Sequence, residues 1–392
     1  MPIALSCAPA MAGQVDKSGA SAAPFNIRWQ PGADQPWIPM IETTGNLIVI
    51  PVRVNGQELP AVVDTGSVVT LIDTNAAKQI GLVPGMPVSV TALGGNGKAA
   101  VAFAPVASFG VGGFAQTGGM IGIGDFTSLR QASPQRFSII LGMDALSGMA
   151  IDVDFDNRRV KLQPSGARPP MGPAPAPIAL KSPGRAVTAV TVRGGAVESV
   201  IVDTGSNGEF TLTKRRWTSL PHEQFEVTDL ASAGLGGIHV EPYLRLPTFA
   251  VGEAKASDIP TTIADHSLEA WSDGTIGIGF LRRFNVYLDP RAGVLQLAPR
   301  REAVPPVAVT MTGIQGSARD DGLTIVHVMA NSPAAAAGLK QGDRICAVDG
   351  DRVSAAWVGT ARNDWGHGPA GKRAMLTMCD GRTIPLTLKV FY

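Results

Sequence analysis

The sequence predicts a mainly β protein, built from two similar lobes in one chain and followed by a smaller β domain. At 392 residues the chain is too long for one ordinary compact domain. Its 46 glycines and 30 prolines favour short strands joined by tight turns. A pattern within the first three hundred residues also recurs once, roughly 140 residues further along, as expected for a duplicated unit.

Charge and composition exclude several classes of partner. Lys and Arg number 33 against 32 Asp and Glu, and the net charge of +1 favours neither nucleic acid nor an acidic membrane surface. No apolar run approaches the roughly 20 residues that span a bilayer, so no transmembrane segment is expected. The five histidines lack metal-ligand spacing. We therefore expect neither a metal nor an organic cofactor.

Residues 1–23 are rich in small and apolar residues and allow two interpretations. Ala10-Met11-Ala12 before Gly13 has the form of a signal-peptidase site, but a positively charged region before it is missing. The segment is either the remnant of an export signal, which predicts a periplasmic or secreted protein, or an unstructured terminus. Cys7 is a weak candidate for lipid modification, because Leu5 stands one position away from the usual place.

The internal repeat is centred on a hexapeptide. Val-Val-Asp-Thr-Gly-Ser at residues 62–67 returns as Ile-Val-Asp-Thr-Gly-Ser at residues 201–206, an offset of 139 residues (203 − 64). Further matches follow in the same order, and such collinear blocks indicate duplication. They pair 93–95 with 235–237, 109–112 with 249–252, 140–146 with 275–281 and 151–162 with 286–297.

Each copy reads as a series of short strands. A strand at 47–54, an Asn55-Gly56 turn and a second strand at 61–63 lead into the first Asp-Thr-Gly. The second copy repeats this order, with a strand at 187–192, a Gly194-Gly195 turn and a strand at 199–202.

Proline-rich residues separate the predicted domains. We assign 24–162 to the first lobe, 163–178 to a linker and 179–300 to the second lobe, because prolines remove backbone donors and favour extended structure. A further break at Pro305-Pro306 precedes a domain at 307–392.

The paired motifs, each preceded by an apolar strand and completed by an apolar-apolar-Gly block, resemble the pepsin/retropepsin superfamily of aspartic proteases over roughly residues 40–300. The resemblance implies a two-lobed, pepsin-like or double retropepsin-like fold that is monomeric for catalysis. It also implies that Asp64 and Asp203 hydrolyse peptide bonds in a polypeptide substrate. Two carboxyls in contact cannot both ionise, and for that reason they share a proton; the chemistry of this enzyme class is the standard example.

The remaining motif residues have supporting roles. Gly66 and Gly205 allow the two loops to approach closely. By resemblance, threonine hydroxyls bridge the loops below the two aspartates, and serine hydroxyls bond the outer carboxylate oxygens. These residues are Thr65, Thr204, Ser67 and Ser206.

Two glycine-rich segments lie at matching places after the motifs, where the family closes a hairpin, or flap, over the substrate. The arrangement is similar to a retroviral protease dimer fused into one chain. The other interpretation is that both are ordinary hairpin loops. The candidate flap residues are Leu93, Gly94, Gly95, Leu235, Gly236 and Gly237.

The last domain has a different signature. Ser-Pro-Ala-Ala-Ala-Ala-Gly-Leu at 332–339 and Gly-Asp-Arg-Ile at 342–345 closely resemble the bacterial PDZ domain, a partly open β-barrel with one or two helices. Such domains bind peptide C-termini by strand addition. The carboxylate-binding loop is expected near Thr312, Gly313 and Ile314, although a purely lobe-packing role remains the alternative.

Two questions stay open from the sequence. Cys346 and Cys379 could form a disulfide in an oxidising compartment or remain two buried thiols in a reducing one. The function that we favour is an aspartic endopeptidase with a PDZ domain. The alternative is a catalytically silent peptide-binding protein that keeps the protease fold; the retention of both aspartates favours the enzyme.

Overall fold

The computed structural model describes residues 4–5, 9–10, 28–29, 35–43, 46–92, 98–132, 137–220, 226–265, 269–305, 310–357 and 360–392. The mainly β class predicted from the sequence is confirmed. In the described part of the chain, no helix has the length and apolar character needed to cross a membrane. Cys7 and the predicted flap residues Leu93, Gly94 and Gly95 lie outside the described residues.

In the first lobe the described residues form a sheet packed on an apolar core, together with three short helices. Asn55 and Gly56 both have left-handed φ values, 50° and 79°, so they form the predicted two-residue turn. The strands are Trp37–Pro39, Val49–Val54, Gln57–Val63, Leu71–Asp73, Pro87–Ala92, Lys98–Pro105, Ser108–Val111, Phe114–Thr117, Met120–Gly124, Ile139–Leu141, Met149–Asp154 and Arg159–Pro164, the helices are Thr74–Gln79, Thr127–Ala132 and Met143–Leu146, and three two-residue strands, Ala4–Leu5, Pro9–Ala10 and Arg28–Trp29, precede them.

The second lobe follows a similar order, although two long strands, Gly237–Val251 and Ala254–Ala264, stand where the first lobe has four shorter ones. Its first turn is Arg193-Gly194, with φ values of 52° and 80°. The predicted Gly194-Gly195 turn is therefore wrong by one residue, because Gly195 already pairs with Val192. The strands are Ala176–Lys181, Arg185–Val192, Gly195–Asp203, Phe210–Thr213, Thr228–Gly234, Gly237–Val251, Ala254–Ala264, Gly274–Gly277, Phe284–Asp289 and Val294–Pro299, and the helices are Lys214–Ser219 and Ile278–Leu281.

A shared sheet joins the lobes. Strand Met149–Asp154 pairs antiparallel with Phe284–Asp289, and the register runs symmetrically about the pair Asp152 and Tyr287. Strands Arg159–Pro164 and Val294–Pro299 extend the sheet on either side. The duplicated halves thus meet across a pseudo-twofold axis.

The segment predicted as a linker includes the ends of two strands. Pro164 still belongs to a strand of the shared sheet, and Ala176 already opens the next strand. Residues 165–175 hold neither helix nor strand.

The C-terminal domain is a separate sheet with its own core. Cys346 and Cys379 form a disulfide, which answers the question that the sequence left open. The strands are Ile314–Arg319, Gly322–Val328, Arg344–Val348, Asp351–Arg352, Arg373–Met378 and Thr383–Thr387, with helix Pro333–Ala336 and 3-10 helices Ala355–Trp357 and Ala361–His367.

This domain packs on a hairpin of the second lobe, formed by Thr228–Gly234 and Gly237–Val251. The Gln315 side chain brackets the backbone of Ala231, donating to its carbonyl at 3.1 Å and accepting from its N–H at 2.7 Å. Asp229 accepts from the Ala330 N–H at 2.7 Å and lies 2.9 Å from His327 Nε2. An apolar cluster also packs across the contact: Leu230, Tyr243, Met329, Phe391 and Tyr392.

We expect Asp229→Ala to loosen this contact selectively. The change removes the acceptor of Ala330 and the partner of His327, at a cost of about 1 kcal/mol of docking free energy. Hydrogen–deuterium exchange should rise in residues 228–234 but not in Arg344–Val348, the central strand of the C-terminal sheet. Asp320→Ala, at an exposed position of the same domain, is the matched control. Unchanged exchange in the hairpin would contradict the docking.

Candidate active site

Asp64 and Asp203 lie where two equivalent strands end. Strand Gln57–Val63 runs directly into Asp64, and strand Gly195–Asp203 ends on Asp203. Each strand pairs in parallel with the strand of the following apolar-apolar-Gly block, Val63 opposite Leu141 and Asp203 opposite Gly277. The core strands of each lobe thereby carry one carboxyl to the contact between the lobes, where both aspartates are 0% exposed.

The two loops approach so closely that only glycine fits. A Cβ on Gly66 would lie 2.1 Å from Asp203 Cγ, and a Cβ on Gly205 would lie 2.2 Å from Asp64 Cγ. These distances are far inside van der Waals contact. The carboxyl of each lobe therefore rests against the Asp-Thr-Gly loop of the other lobe.

The threonines hold the loops together as the resemblance implied. The Thr65 hydroxyl donates to the Val202 carbonyl at 2.7 Å, and the Thr204 hydroxyl donates to the Val63 carbonyl at 2.6 Å. Each hydroxyl also accepts the backbone N–H of the opposite threonine at 3.1 Å. Four buried hydrogen bonds thus cross between the lobes directly beside the carboxyls.

The role expected for the serine hydroxyls is wrong. Oδ1 of Asp64 accepts from the backbone N–H groups of Gly66 and Ser67, both at 2.9 Å. The Ser67 hydroxyl instead donates to the Val69 carbonyl at 2.8 Å.

The same holds in the second lobe. Oδ1 of Asp203 accepts from the backbone N–H groups of Gly205 and Ser206, at 2.8 and 3.0 Å. The turn geometry brings the main-chain donors close enough to satisfy the carboxylate. Both serines therefore support the aspartates through their backbone.

The other oxygen of each carboxyl, Oδ2, has a different environment. Oδ2 of Asp64 and Oδ2 of Asp203 are buried without a hydrogen-bond donor. A proton carried by one of the two carboxyls would supply that donor. Burial raises the pKa of Asp64 well above its ordinary value, and the neighbouring Asp203 raises it further. Burial also raises the pKa of Asp203, to about 6, against the opposing charge of Arg185.

Arg185 is a site residue that the sequence analysis missed. It is 0% exposed and its Nε lies 3.3 Å from Glu269 Oε1. Its charge lowers the pKa of both aspartates. A single cation at the start of an apolar strand was the available signal in the sequence.

The apolar-apolar-Gly blocks support the loops from behind. A Cβ on Gly142 would lie 2.6 Å from the Val69 carbonyl, and one on Gly277 would lie 2.1 Å from the Gly208 oxygen. In the first lobe, Asp144 adds a clamp by accepting from the Thr70 hydroxyl at 2.6 Å. The repeat gave no hint of this clamp, because glycine stands at the matching position in the second copy.

The second predicted flap is a hairpin tip. Leu235 and Gly236 form the turn between strands Thr228–Gly234 and Gly237–Val251, and Gly237 already pairs with Gly234. Ala231 and Ala233 are fully buried. The hairpin therefore contributes a covered strand in this structure, and the C-terminal domain is part of the cover.

The predicted carboxylate-binding loop is occupied by its own threonines. The N–H groups of Thr312 and Gly313 donate to the Thr310 hydroxyl at 3.3 and 3.0 Å, and the N–H of Ile314 donates to the Thr312 hydroxyl at 3.1 Å. Thr312 and Ile314 are also buried. A peptide carboxylate bound here would have to displace these hydroxyls.

Among the described residues, no three His, Cys, Asp or Glu side chains are grouped so that they could hold a metal ion. The groups that converge on the site are two carboxyls, four backbone amides and one guanidinium.

Comparison with known families agrees with this geometry. The family model for aspartyl proteases matches residues 50–145, and the model for PDZ domains matches residues 311–378. No curated protein matches the chain. The aspartyl protease match includes Asp64 and ends before the second lobe, whose likeness rests on the repeat and on the fold. The recognition made from the sequence is therefore confirmed: the chain has a retropepsin-like aspartyl protease fold in two fused lobes, followed by a C-terminal PDZ domain.

Proposed function

We propose that this protein is an aspartic endopeptidase in which Asp64 and Asp203 activate a water molecule. The observation that carries the proposal is that two buried, neighbouring carboxyls each rest against the opposite loop, at a glycine that admits no side chain. A pair held this closely keeps one proton over a broad pH range.

The chemistry follows from that shared proton. One carboxylate takes a proton from water while the water oxygen bonds to the peptide carbonyl carbon, and the protonated carboxyl gives its proton to the carbonyl oxygen. The carbon–nitrogen bond then breaks as the amine nitrogen is protonated, and the carbonyl re-forms. The backbone amides that bond each Oδ1 hold the carboxyls in place throughout.

An extended polypeptide fits the proposed substrate class. Ala4–Leu5 pairs in parallel with Ser232 and Ala233 of one hairpin, and Pro9–Ala10 pairs antiparallel with Thr91 and Ala92 of the other. A strand that crosses a pseudo-twofold axis meets two symmetry-related hairpins in opposite directions. The hairpin strands can therefore receive one extended chain between them.

The PDZ domain supports peptide binding as a second property of the chain. Its edge strand Ile314–Arg319 stands at the end of the sheet, where a peptide strand could be added. The satisfied amides at 312–314 and the hairpin contact equally favour a role in packing against the protease. We propose that the domain stabilises the hairpin of the second lobe and that peptide binding acts through this contact.

An oxidising compartment fits the Cys346–Cys379 disulfide, because such bonds persist mainly in exported proteins. We therefore propose a periplasmic or secreted location, with Cys7 as a candidate lipid anchor. Export can be checked by cell fractionation.

Asp64→Asn and Asp203→Asn should each abolish hydrolysis. The two carboxyls act as one unit, so the double variant should be no worse than either single variant. The measurement is digestion of a peptide library by the wild type and the three variants. Asp320→Asn, at an exposed position, is the control for expression and handling. Wild-type inactivity together with peptide binding would support the silent peptide-binding alternative.

The pH–rate profile should be bell-shaped, with its acid limb near pH 6. As the pH falls through the pKa of Asp203, which is about 6, the second carboxyl becomes protonated and no base remains. As the pH rises through the raised pKa of Asp64, the proton donor is lost. The optimum should therefore lie above about pH 6.

The Ser67→Ala variant tests the corrected hydrogen bonding. Its hydroxyl donates to Val69 and not to Asp64, so the acid limb should stay within about 0.3 pH units of wild type, well below the one-unit scale of a lost charge partner. If the acid limb moved to a clearly higher pH, the hydrogen bond first expected from the Ser67 hydroxyl to the Asp64 carboxylate would be supported instead.

A further inference from the structure

The two halves of the dyad have different surroundings, although their motifs are the same. In the second lobe Val187 lies opposite Ile201 in the antiparallel ladder. Continuing that register by two residues places Arg185 opposite Asp203. Residues directly opposite each other share a face, with Cβ atoms about 5 Å apart. The side chains of Val187 and Ile201 pack together. Arg185 and Asp203 each lie two residues further along the same strands, so their side chains are on that same face.

The first lobe has leucine at the matching place. There Val49 lies opposite Val62, and the Val63 N–H donates to the Ile48 carbonyl, so the same register sets Leu47 opposite Asp64. Leu47 is buried in the apolar core. The duplicated lobes thus present a guanidinium to one aspartate and a hydrocarbon to the other.

We propose that Arg185 breaks the symmetry of the dyad, so that Asp203 is the carboxylate that accepts the proton of water and Asp64 is the carboxyl that donates a proton to the substrate carbonyl. This inference rests on the proposed function and adds an assignment of roles to it. In the attack step, the water proton goes to Asp203, the water oxygen bonds to the carbonyl carbon, and the Asp64 proton goes to the carbonyl oxygen.

The charges around the dyad agree with this assignment. Arg185 faces it from strand Arg185–Val192 and is held by Glu269 at 3.3 Å, with both side chains nearly or fully buried. Lys181, paired opposite Arg185 on the next strand, directs its amine to the Ser199 hydroxyl at 2.8 Å.

Two other acids, Asp144 and Glu209, are engaged elsewhere. Asp144 accepts from Thr70, and Glu209 accepts from Arg283 at 2.7 Å. Burial raises the pKa of both aspartates. The charge of Arg185 is the largest effect that lowers the pKa of Asp203. The pKa of Asp64 is governed first by burial and then by Asp203, and the charge of Arg185 has a smaller lowering effect on it. The guanidinium therefore favours a proton on Asp64.

Arg185 would act as a positioning residue for the proton and need not touch the substrate. Its burial also explains the need for Glu269, since a buried guanidinium without a counter-charge is strongly destabilising. For the same reason Arg185→Leu alone is a poor probe, because it would leave Glu269 buried and unpaired.

The first test compares pH–rate profiles. In Arg185→Leu/Glu269→Leu, which removes the ion pair as a unit, the acid limb should move up by about one pH unit or more. In Glu269→Gln the cation loses its counter-charge, and the limb should move down. Arg185→Lys keeps the charge and should leave the limb near its wild-type position. Coincident limbs in the double variant and the wild type would overturn the proposal.

The second test needs no hydrolysis. Carboxyl ¹³C NMR titration of Asp64→Asn reports on Asp203 alone, and titration of Asp203→Asn reports on Asp64 alone. Asp203 should titrate at least about one pH unit below Asp64, and the gap should shrink when Arg185→Leu/Glu269→Leu is added. Equal titration of the two single carboxyls refutes the asymmetry. The expected gap in a protein that cleaves no peptide would reject the peptidase and keep the asymmetry.

Discussion

The close contact between two Asp-Thr-Gly loops is the constraint on which the rest of this structure depends. Each carboxyl occupies the space that a side chain on the opposite loop would need, so Gly66 and Gly205 are required by volume. Two buried acids in contact repel each other once both ionise. The four hydrogen bonds of Thr65 and Thr204 hold the loops in this unfavourable proximity, and the shared sheet around Asp152 and Tyr287 fixes the two lobes behind them.

Duplication explains why this arrangement is available to a single chain. Two copies of one lobe meet across a pseudo-twofold axis, and each contributes a strand end, a carboxyl and a glycine block. The copies are then free to diverge wherever symmetry is not needed. Arg185 against Leu47 and Glu209 against Thr70 are buried examples of this divergence, and each places a charged side chain where the other lobe has an uncharged one.

The C-terminal domain contacts the protease lobes through the hairpin of the second lobe. Gln315, His327 and Ala330 bond to residues of strand Thr228–Gly234, and aromatic side chains at the end of the chain cover Leu230. The sequence suggested a domain that binds peptide C-termini, with packing against a lobe as the alternative. The structure places this domain against the hairpin of the second lobe, so the packing role that the sequence left as the alternative has a physical basis.

By itself the sequence determined the mainly β class, the duplication, the two aspartates and the PDZ domain. These follow from local patterns: apolar strands, turn residues such as Asn55-Gly56, and motifs repeated at a nearly constant spacing. Even the threonine bridge could be expected once the motif was recognised, since its partners lie within the same repeated residues.

Only the tertiary structure decided which distant groups face one another. A serine beside an aspartate looks like a hydroxyl donor, yet the turn presents backbone amides and turns the Ser67 hydroxyl to Val69. The pairing of Cys346 with Cys379, the closing of the 312–314 amides on threonine hydroxyls and the placement of Arg185 opposite Asp203 all depend on strand register and on packing between elements far apart in the chain. Such contacts are set by the three-dimensional path of the backbone, and short-range sequence patterns do not encode that path residue by residue.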